Sequence, residues 1–133
     1  VRAMANWGDS GVDTQLAGSM LFDDGILAHF DCGLTQELSQ VYHLMGTTGH
    51  LRIPDAFVPQ SEEVVIEHVD ADHQLTTLQA SSGEQYQAMV EHFASCVLND
   101  EDVRFPPGEA TLNMKVINAL YESARKDGAE VKV

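Results

Sequence analysis

The spacing of apolar residues changes at Gly83, and this change most constrains what the chain can fold into. Before Gly83, apolar and polar residues alternate in short runs separated by turn signals, which is the two-residue period of β-strands. After it, apolar residues recur at the spacing of one helix face: Tyr86, Met89, Val90, Phe93 and Val97. Strands followed by helices predict an α+β fold.

Three turn signals divide the strand region into hairpins. Asp23-Asp24-Gly25 separates residues 12–22 from 26–32, and Asp-Gly favours a tight hairpin because Gly accepts positive φ. Residues 46–49 separate a strand at 41–45 from one at 50–53, and 70–72 separate 63–68 from 74–78. Short turns between neighbouring strands predict a mostly antiparallel open sheet.

Two long C-terminal helices follow. Ser81 and Glu84 have the spacing of a capping box for the first helix, and Pro106-Pro107-Gly108 separates it from the second. The second helix is expected to end near Gly128 and to bury an apolar set: Leu112, Val116, Ile117, Leu120 and Ala124. We expect both helices on one face of the sheet, which leaves the other face available for a homodimer.

Composition indicates one soluble, cytoplasmic domain spanning residues 1–133. The formal net charge is −14 with only seven Lys and Arg, which excludes a nucleic-acid partner since that function needs a basic patch. No apolar run is long enough for a membrane span. Cys32 and Cys96 lie in apolar contexts far apart, and we expect buried free thiols in a reducing compartment.

Motifs for independent chemistry are missing. Six histidines occur without His-x-x-x-His or Cys-x-x-Cys spacing, so no metal site is predicted. No Gly-x-Ser-x-Gly elbow supports a serine hydrolase. No Gly-x-Gly-x-x-Gly follows a strand, so the chain encodes no dinucleotide site. Composition and motifs alone therefore indicate an α+β module of unknown activity.

Several stretches nevertheless resemble one family of enzymes. They are the hairpin ending Leu21-Phe22-Asp23-Asp24-Gly25, the returning strand 28–32, the Gly-Thr-x-Gly hairpin at 44–51 and, above all, residues 83–133 with Tyr86, Phe93, Asn113, Ser123-Ala124-Arg125 and Gly128. In order and spacing they are similar to the C-terminal domain of the glucose-fructose oxidoreductase / inositol dehydrogenase / MocA (Gfo/Idh/MocA) family of NAD(P)-dependent oxidoreductases.

The resemblance implies an incomplete enzyme. In that family an N-terminal Rossmann domain binds NAD or NADP, and a C-terminal domain shapes the substrate pocket and forms the dimer. The parent enzyme would then transfer hydride between the nicotinamide and a sugar, polyol or related hydroxy compound. The family's Glu-Lys-Pro lysine and Asp/His helix have no match here, so no catalytic or cofactor-binding residue is assigned. This chain, which starts at Val1 rather than Met, would need its own N-terminal domain as partner and be inactive alone.

Gln85 and Tyr86 are the substrate-pocket candidates. The resemblance brings the segment 78–86 near the substrate, where an amide and a phenol can orient sugar hydroxyls. Tyr86 could equally be the first residue of the helix's core-facing stripe. Trp7 could stack on a sugar or protect a sheet edge, and Arg104 could meet an acidic group or stay solvated. A freestanding, non-catalytic homodimerising or ligand-binding module is the alternative function, and it would carry its own initiator Met near Val1.

Overall fold

The computed structural model describes residues 1–133 and divides into two compact units. The first unit comprises Val1–Glu37 and Arg104–Val133, and the second comprises Leu38–Val103. Seven strands precede two helices along the chain: β1 (Arg2–Trp7), β2 (Asp13–Leu21), β3 (Leu27–Gly33), β4 (Tyr42–Met45), β5 (Gly49–Ile53), β6 (Glu63–Asp70), β7 (Leu75–Ser81), α1 (Gln85–Asn99) and α2 (Pro107–Ala124).

The first unit holds an antiparallel sheet in the order β1-β2-β3. The hairpin predicted at Asp23-Asp24-Gly25 is confirmed. Gly25 adopts φ 85°, and the Asp24 carboxylate accepts the backbone N–H of Ile26 at 3.2 Å. This turn pairs Leu21 with Leu27 and fixes which side chains share a face.

Helix α2 packs on one face of this sheet. The core of the unit consists of Ala3, Leu16 and Leu120, with Phe30 and Val116 packed beside them. Gly18 lets the helix approach, because a Cβ there would stand 2.7 Å from the Phe30 ring and 3.1 Å from Leu120. Of the predicted buried set on α2, Leu120 is buried and Val116, Ile117 and Ala124 are half-buried. Leu112 is exposed, so its prediction was wrong.

The chain beyond α2 returns to the edge of β1. Val1 and Val131 exchange both backbone hydrogen bonds, at 2.8 and 3.0 Å, which is the pattern of an antiparallel pair. Gly128 adopts φ 77° and donates its N–H to the Ser123 carbonyl at 3.0 Å, so it closes the turn after α2, but the cap residue is Arg125 where Gly128 was predicted.

The second unit holds an antiparallel sheet in the order β4-β5-β6-β7. Its register places apolar side chains on one face: Tyr42, Leu44, Leu51, Ile53, Val64, Ile66, Leu78 and Ala80. The opposite face is more polar and carries an ion pair in which Arg52 Nη1 lies 2.8 Å from Glu67 Oε2. The turns that join these strands lie where the sequence predicted them.

Helix α1 follows β7 after a three-residue connection. Its N-cap residue is Glu84 and no side chain caps it, so the predicted Ser81–Glu84 capping box was wrong. The stripe of Tyr86, Met89, Val90, Phe93 and Val97 was expected to be core-facing, but these side chains are between 60% and 69% exposed. Cys96 is the one buried residue of α1.

The α+β class, the antiparallel strands and the two C-terminal helices are confirmed. The strands form two sheets where a single open sheet was expected, and each unit carries one of the helices. Neither helix is both long and apolar enough to cross a lipid bilayer.

Candidate functional site

Gln85 and Tyr86 form the first turn of α1. Gly83, with φ 59°, turns the chain into the helix, and Ser82 holds the connection by donating from both its N–H and its hydroxyl to the Glu62 carbonyl, at 2.9 and 3.2 Å. Both candidate side chains are exposed and neither hydrogen-bonds within the chain. Their polar groups are therefore available to a ligand, and their role stays a prediction.

A groove of about 270 Å³ lies beside this connection, at the ends of β6 and β7. Polar side chains predominate in its lining: Glu62, Glu63, Gln79, Ala80 and Ser81. Carboxylates accept hydrogen bonds, and an amide and a hydroxyl both donate and accept them. This combination suits a ligand that presents several hydroxyl groups. The segment 78–86, which the sequence singled out, thus contributes three of the five lining residues.

Trp7 belongs to a cluster of rings around one guanidinium in the first unit. Its ring centroid lies 5.8 Å from that of Tyr121, and Arg125 Cζ lies 5.1 Å from the Trp7 ring and 5.6 Å from the Tyr121 ring. Such cation–π contacts are worth about 0.5–1 kcal/mol at exposed sites. Trp7 therefore connects the end of β1 to the end of α2. This is a structural role for a residue to which the sequence assigned no single function.

Tyr121 also joins α2 to β2. Its hydroxyl donates a 2.7 Å hydrogen bond to Asp13 Oδ1. This bond raises the pKa of Tyr121 above its ordinary value, since the phenolate would lose it, and burial and the negative charge of Asp13 act in the same direction. The folded state therefore favours the neutral phenol of Tyr121 over the phenolate.

The other polar candidates do not converge on a catalytic group. Arg104 Cζ lies 5.3 Å from the ring centroid of its neighbour Phe105. His43 and His50 stack edge to face at 5.3 Å, and no three side chains are grouped as a metal site would need. Both cysteines are free; Cys96 is buried as expected, whereas Cys32 is exposed, so that expectation was wrong.

A larger groove of about 690 Å³ in the first unit was not foreseen. Mainly apolar side chains from the chain start, the β2–β3 hairpin and the C-terminal tail line it, including Val1, Met20, Phe22, Leu27 and Val131. Arg2 and Glu130, paired across 3.3 Å, also line it. No single stretch of sequence marks this groove, because it depends on the tail folding back on β1.

Neither helix N-terminus has the features that bind the pyrophosphate of a dinucleotide. The connection that leads from β7 into α1 contains one glycine, Gly83, and presents the carboxylate of Glu84 where a pyrophosphate would need backbone N–H groups and no negative charge. Helix α2 begins at a proline and has Glu109 in its first turn. No step of a reaction through such a cofactor can be derived from these residues.

Sequence reasoning missed Ser123, the only fully buried side chain of the chain. Its hydroxyl accepts the backbone N–H of Ala3 at 2.9 Å and donates to the carbonyl of Ala129 at 2.6 Å. The available signal was its place in the Ser123-Ala124-Arg125 triplet on which the family resemblance rests. In the structure that triplet holds the sheet, the tail and the Trp7 cluster together.

Comparisons with known proteins agree with the fold. Residues 2–133 match the family described as "Oxidoreductase family, C-terminal alpha/beta domain". The chain is also 30% identical over 125 residues to a D-xylose 1-dehydrogenase (NADP(+)) of Haloferax volcanii. That match covers 94% of this chain and 38% of the relative, so the chain spans well under half the length of the relative it matches.

The family match extends over nearly the whole chain, and the presence of both strands and helices agrees with its description as an alpha/beta domain. This chain belongs to the Gfo/Idh/MocA oxidoreductase family, as its C-terminal α/β domain.

Proposed function

We propose that this chain is the substrate-pocket and oligomerisation domain of an NAD(P)-dependent dehydrogenase that oxidises or reduces a sugar, polyol or related hydroxy compound by hydride transfer. The observation that carries the proposal is the match to a D-xylose 1-dehydrogenase (NADP(+)) along 94% of this chain. A Rossmann domain elsewhere in the parent chain would bind the nucleotide. The chain alone would be inactive, because its residues offer neither a nucleotide site nor a proton-transfer pair.

The polar groove at the ends of β6 and β7 supports the pocket-wall role. Glu62, Glu63, Gln79 and Ser81 line this groove, and the exposed Gln85 and Tyr86 follow Ser81 after a three-residue connection. A ligand with many hydroxyls needs several convergent hydrogen-bonding groups and an aromatic or apolar surface. Gln85 would orient a hydroxyl, and the Tyr86 ring would cover a face of the sugar.

The uncovered face of the β1–β3 sheet supports the oligomerisation role. Met4, Leu21 and Leu27 point away from α2 and are 70–73% exposed, on a face that also carries Arg2, His29 and Asp31. Exposed apolar side chains rimmed by polar ones are typical of an interface between copies. The alternate residues of β2 that include Leu16 face α2 instead. We therefore assign the proposed homodimer contact to the opposite face.

The test is an assay of the parent protein with D-xylose and a panel of pentoses, hexoses and polyols, in the presence of NADP+ or NAD+. We expect reduction of one nicotinamide cofactor with at least one of these substrates. The 133-residue chain, checked by circular dichroism for folded structure, should show no turnover and no nucleotide binding. A parent protein that reduces neither cofactor with any hydroxy compound would overturn the proposal.

A further inference from the structure

The β4–β5 hairpin brings two imidazoles and a thioether to one face of the second sheet. In the pairing of these strands Met45 lies directly opposite His50, and His43 lies opposite Arg52. Directly paired residues, and residues two apart on one strand, point to the same face. His43, Met45 and His50 therefore share a face. Sequence spacing did not reveal this group, because the two histidines meet only when the turn at 46–49 folds the hairpin.

The two imidazole rings stand at the separation that one shared metal ion would impose. The ring centroids of His43 and His50 are 5.3 Å apart, and the ring planes meet at 79°. A metal that binds two imidazole nitrogens at about 2.0–2.1 Å, with an angle between tetrahedral and trigonal, holds the centroids roughly 5–5.5 Å apart. The χ2 torsion of histidine is soft, so a nitrogen of each ring can turn toward the ion while the backbone stays in place.

Met45 supplies the third donor beside them. Its side chain is 75% exposed, so packing does not hold the sulfur elsewhere. Directly paired residues have Cβ atoms about 4.5–5.5 Å apart, and the rotatable bonds of methionine let the sulfur reach an ion bound by His50. Met45 and His50 also line a groove of about 310 Å³ at this end of the hairpin, which leaves room for the ion.

The donor set favours a soft ion of single charge. Imidazole binds several transition metals, whereas a thioether selects Cu(I) among them. No three carboxylate, imidazole or thiolate side chains are grouped in this chain, and zinc would need such a set. Two imidazoles and a thioether are neutral donors, and the neighbouring Arg52 and Glu67 pair with each other at 2.8 Å. The site therefore lacks the negative charge that would compensate a divalent ion.

We propose that His43, Met45 and His50 form a Cu(I)-binding site on one face of the β4–β5 hairpin. The net charge of −14 favours the approach of any cation, and the neutral donors with their thioether select Cu(I) among cations. The proposed hydride transfer uses none of these three residues, so the site is independent of that reaction.

Competition with the Cu(I) chelator bicinchoninate tests the site in the full-length protein. Thiols such as the exposed Cys32 are first blocked with N-ethylmaleimide, which leaves imidazoles and thioethers intact. We expect the protein to withdraw one equivalent of Cu(I) from the chelator. His43→Ala, His50→Ala and Met45→Leu should each weaken that binding at least about tenfold, since even a change in a residue that only supports a metal ligand costs about that much.

The matched controls change the same residue types elsewhere. His29→Ala removes a strand histidine that pairs with Ser19, and Met114→Leu removes an exposed thioether of α2. Both controls should keep the wild-type affinity, and circular dichroism checks that every variant is folded. A wild-type protein that withdraws no copper would refute the proposal, as would wild-type affinity in any one of the three site variants.

X-ray absorption of the Cu(I)-loaded protein gives a second readout. We expect nitrogen and sulfur scatterers around the copper of the wild type, and loss of the sulfur in Met45→Leu. A sulfur scatterer that persists in this variant would contradict the assignment of Met45 as a ligand and with it the proposed site. Neither measurement uses enzyme activity, so a protein that reduces no nicotinamide cofactor would sink the proposed reaction and leave the copper site standing.

Discussion

The hydroxyl of Ser123 accepts a 2.9 Å hydrogen bond from the backbone N–H of Ala3, and both atoms are buried. The same hydroxyl donates to the Ala129 carbonyl at 2.6 Å. One small side chain near the end of α2 thereby provides a hydrogen-bond partner for a backbone N–H of β1 and for a backbone carbonyl of the C-terminal tail. Since buried backbone groups are costly to leave unpaired, this contact is central to the first unit.

Ser123→Ala should destabilise the protein by about 1–3 kcal/mol, because it leaves the Ala3 N–H and the Ala129 carbonyl without their partner in a dry environment. Urea unfolding followed by circular dichroism measures the change. Ser10→Ala, in the exposed β1–β2 turn, is the control and should have little effect. An unchanged midpoint for Ser123→Ala would show that water or a backbone shift replaces the hydroxyl.

Gly18→Ala should destabilise by about 1–3 kcal/mol through overpacking. The new methyl group would meet the Phe30 ring at 2.7 Å and Leu120 at 3.1 Å, so the Phe30 ring must shift and the Leu120 side chain must adjust. The double variant Gly18→Ala/Phe30→Leu makes room for the methyl and should recover part of the loss. Thermal unfolding of the two variants checks this, and no recovery would mean that Phe30 is not the limiting neighbour.

Stability should fall above about pH 10 because of Tyr121. The hydrogen bond to Asp13 raises the folded pKa above the ordinary value of 10.0, so the unfolded phenol ionises first. The stabilising contribution is therefore complete below that pH and is lost as pH rises through the raised folded pKa. Alkaline unfolding of wild type against Tyr121→Phe measures it. The two proteins should lose stability in parallel if the bond does not form.

Gln85→Ala and Tyr86→Ala in the parent enzyme should each raise KM for the sugar about 10-fold, while kcat changes less. The expected rise corresponds to the loss of one or two neutral hydrogen bonds for Gln85 and of a ring contact for Tyr86. Gln87→Ala, on the polar side of α1, is the matched control. Steady-state kinetics with the best substrate of the panel separates the two parameters. Wild-type KM values for both variants would remove these residues from the pocket.

Met4→Glu and Leu27→Glu should shift the parent protein from dimer to monomer, because each places a carboxylate on the face of the proposed sheet contact. Sedimentation velocity at several concentrations measures the assembly state. Ser10→Glu adds the same charge in an exposed turn and should leave the dimer intact. Dimers that persist in both sheet variants would move the contact to another surface.

Local signals were sufficient for the elements of this fold. Asp-Gly at 24–25, the Gly-Thr-Thr-Gly turn at 46–49 and the acidic turn at 70–72 each act within a few residues, so the strands of the hairpins were predictable to within about three residues at each end. Gly83 before α1, Pro106-Pro107 at the start of α2 and Gly128 beyond its end are local signals of the same kind, whereas α1 ends at the polar residues Asn99 and Asp100. Secondary structure depends here mainly on the nearest neighbours along the chain.

Packing was less predictable, because it depends on residues distant in sequence. Helical spacing showed that Phe93 and Val97 share a face but could not show how far either side chain is exposed. In the sequence Ser123 looks like an ordinary surface serine. Its burial follows only from its hydrogen bonds to Ala3, 120 residues away in the chain, and to Ala129. The pocket candidates came from the family resemblance, since Gln85 and Tyr86 carry no motif of their own.

The pairing of Val1 with Val131 has a mechanical consequence. Because the two residues exchange hydrogen bonds in antiparallel fashion, the chain start and the C-terminal tail leave the fold side by side at one sheet edge. Tension applied between them would load these two bonds one after the other and peel the tail away, rather than shearing the sheet as a whole. The tail, and the Arg2–Glu130 pair beside it, would therefore yield first when the molecule is pulled by its ends.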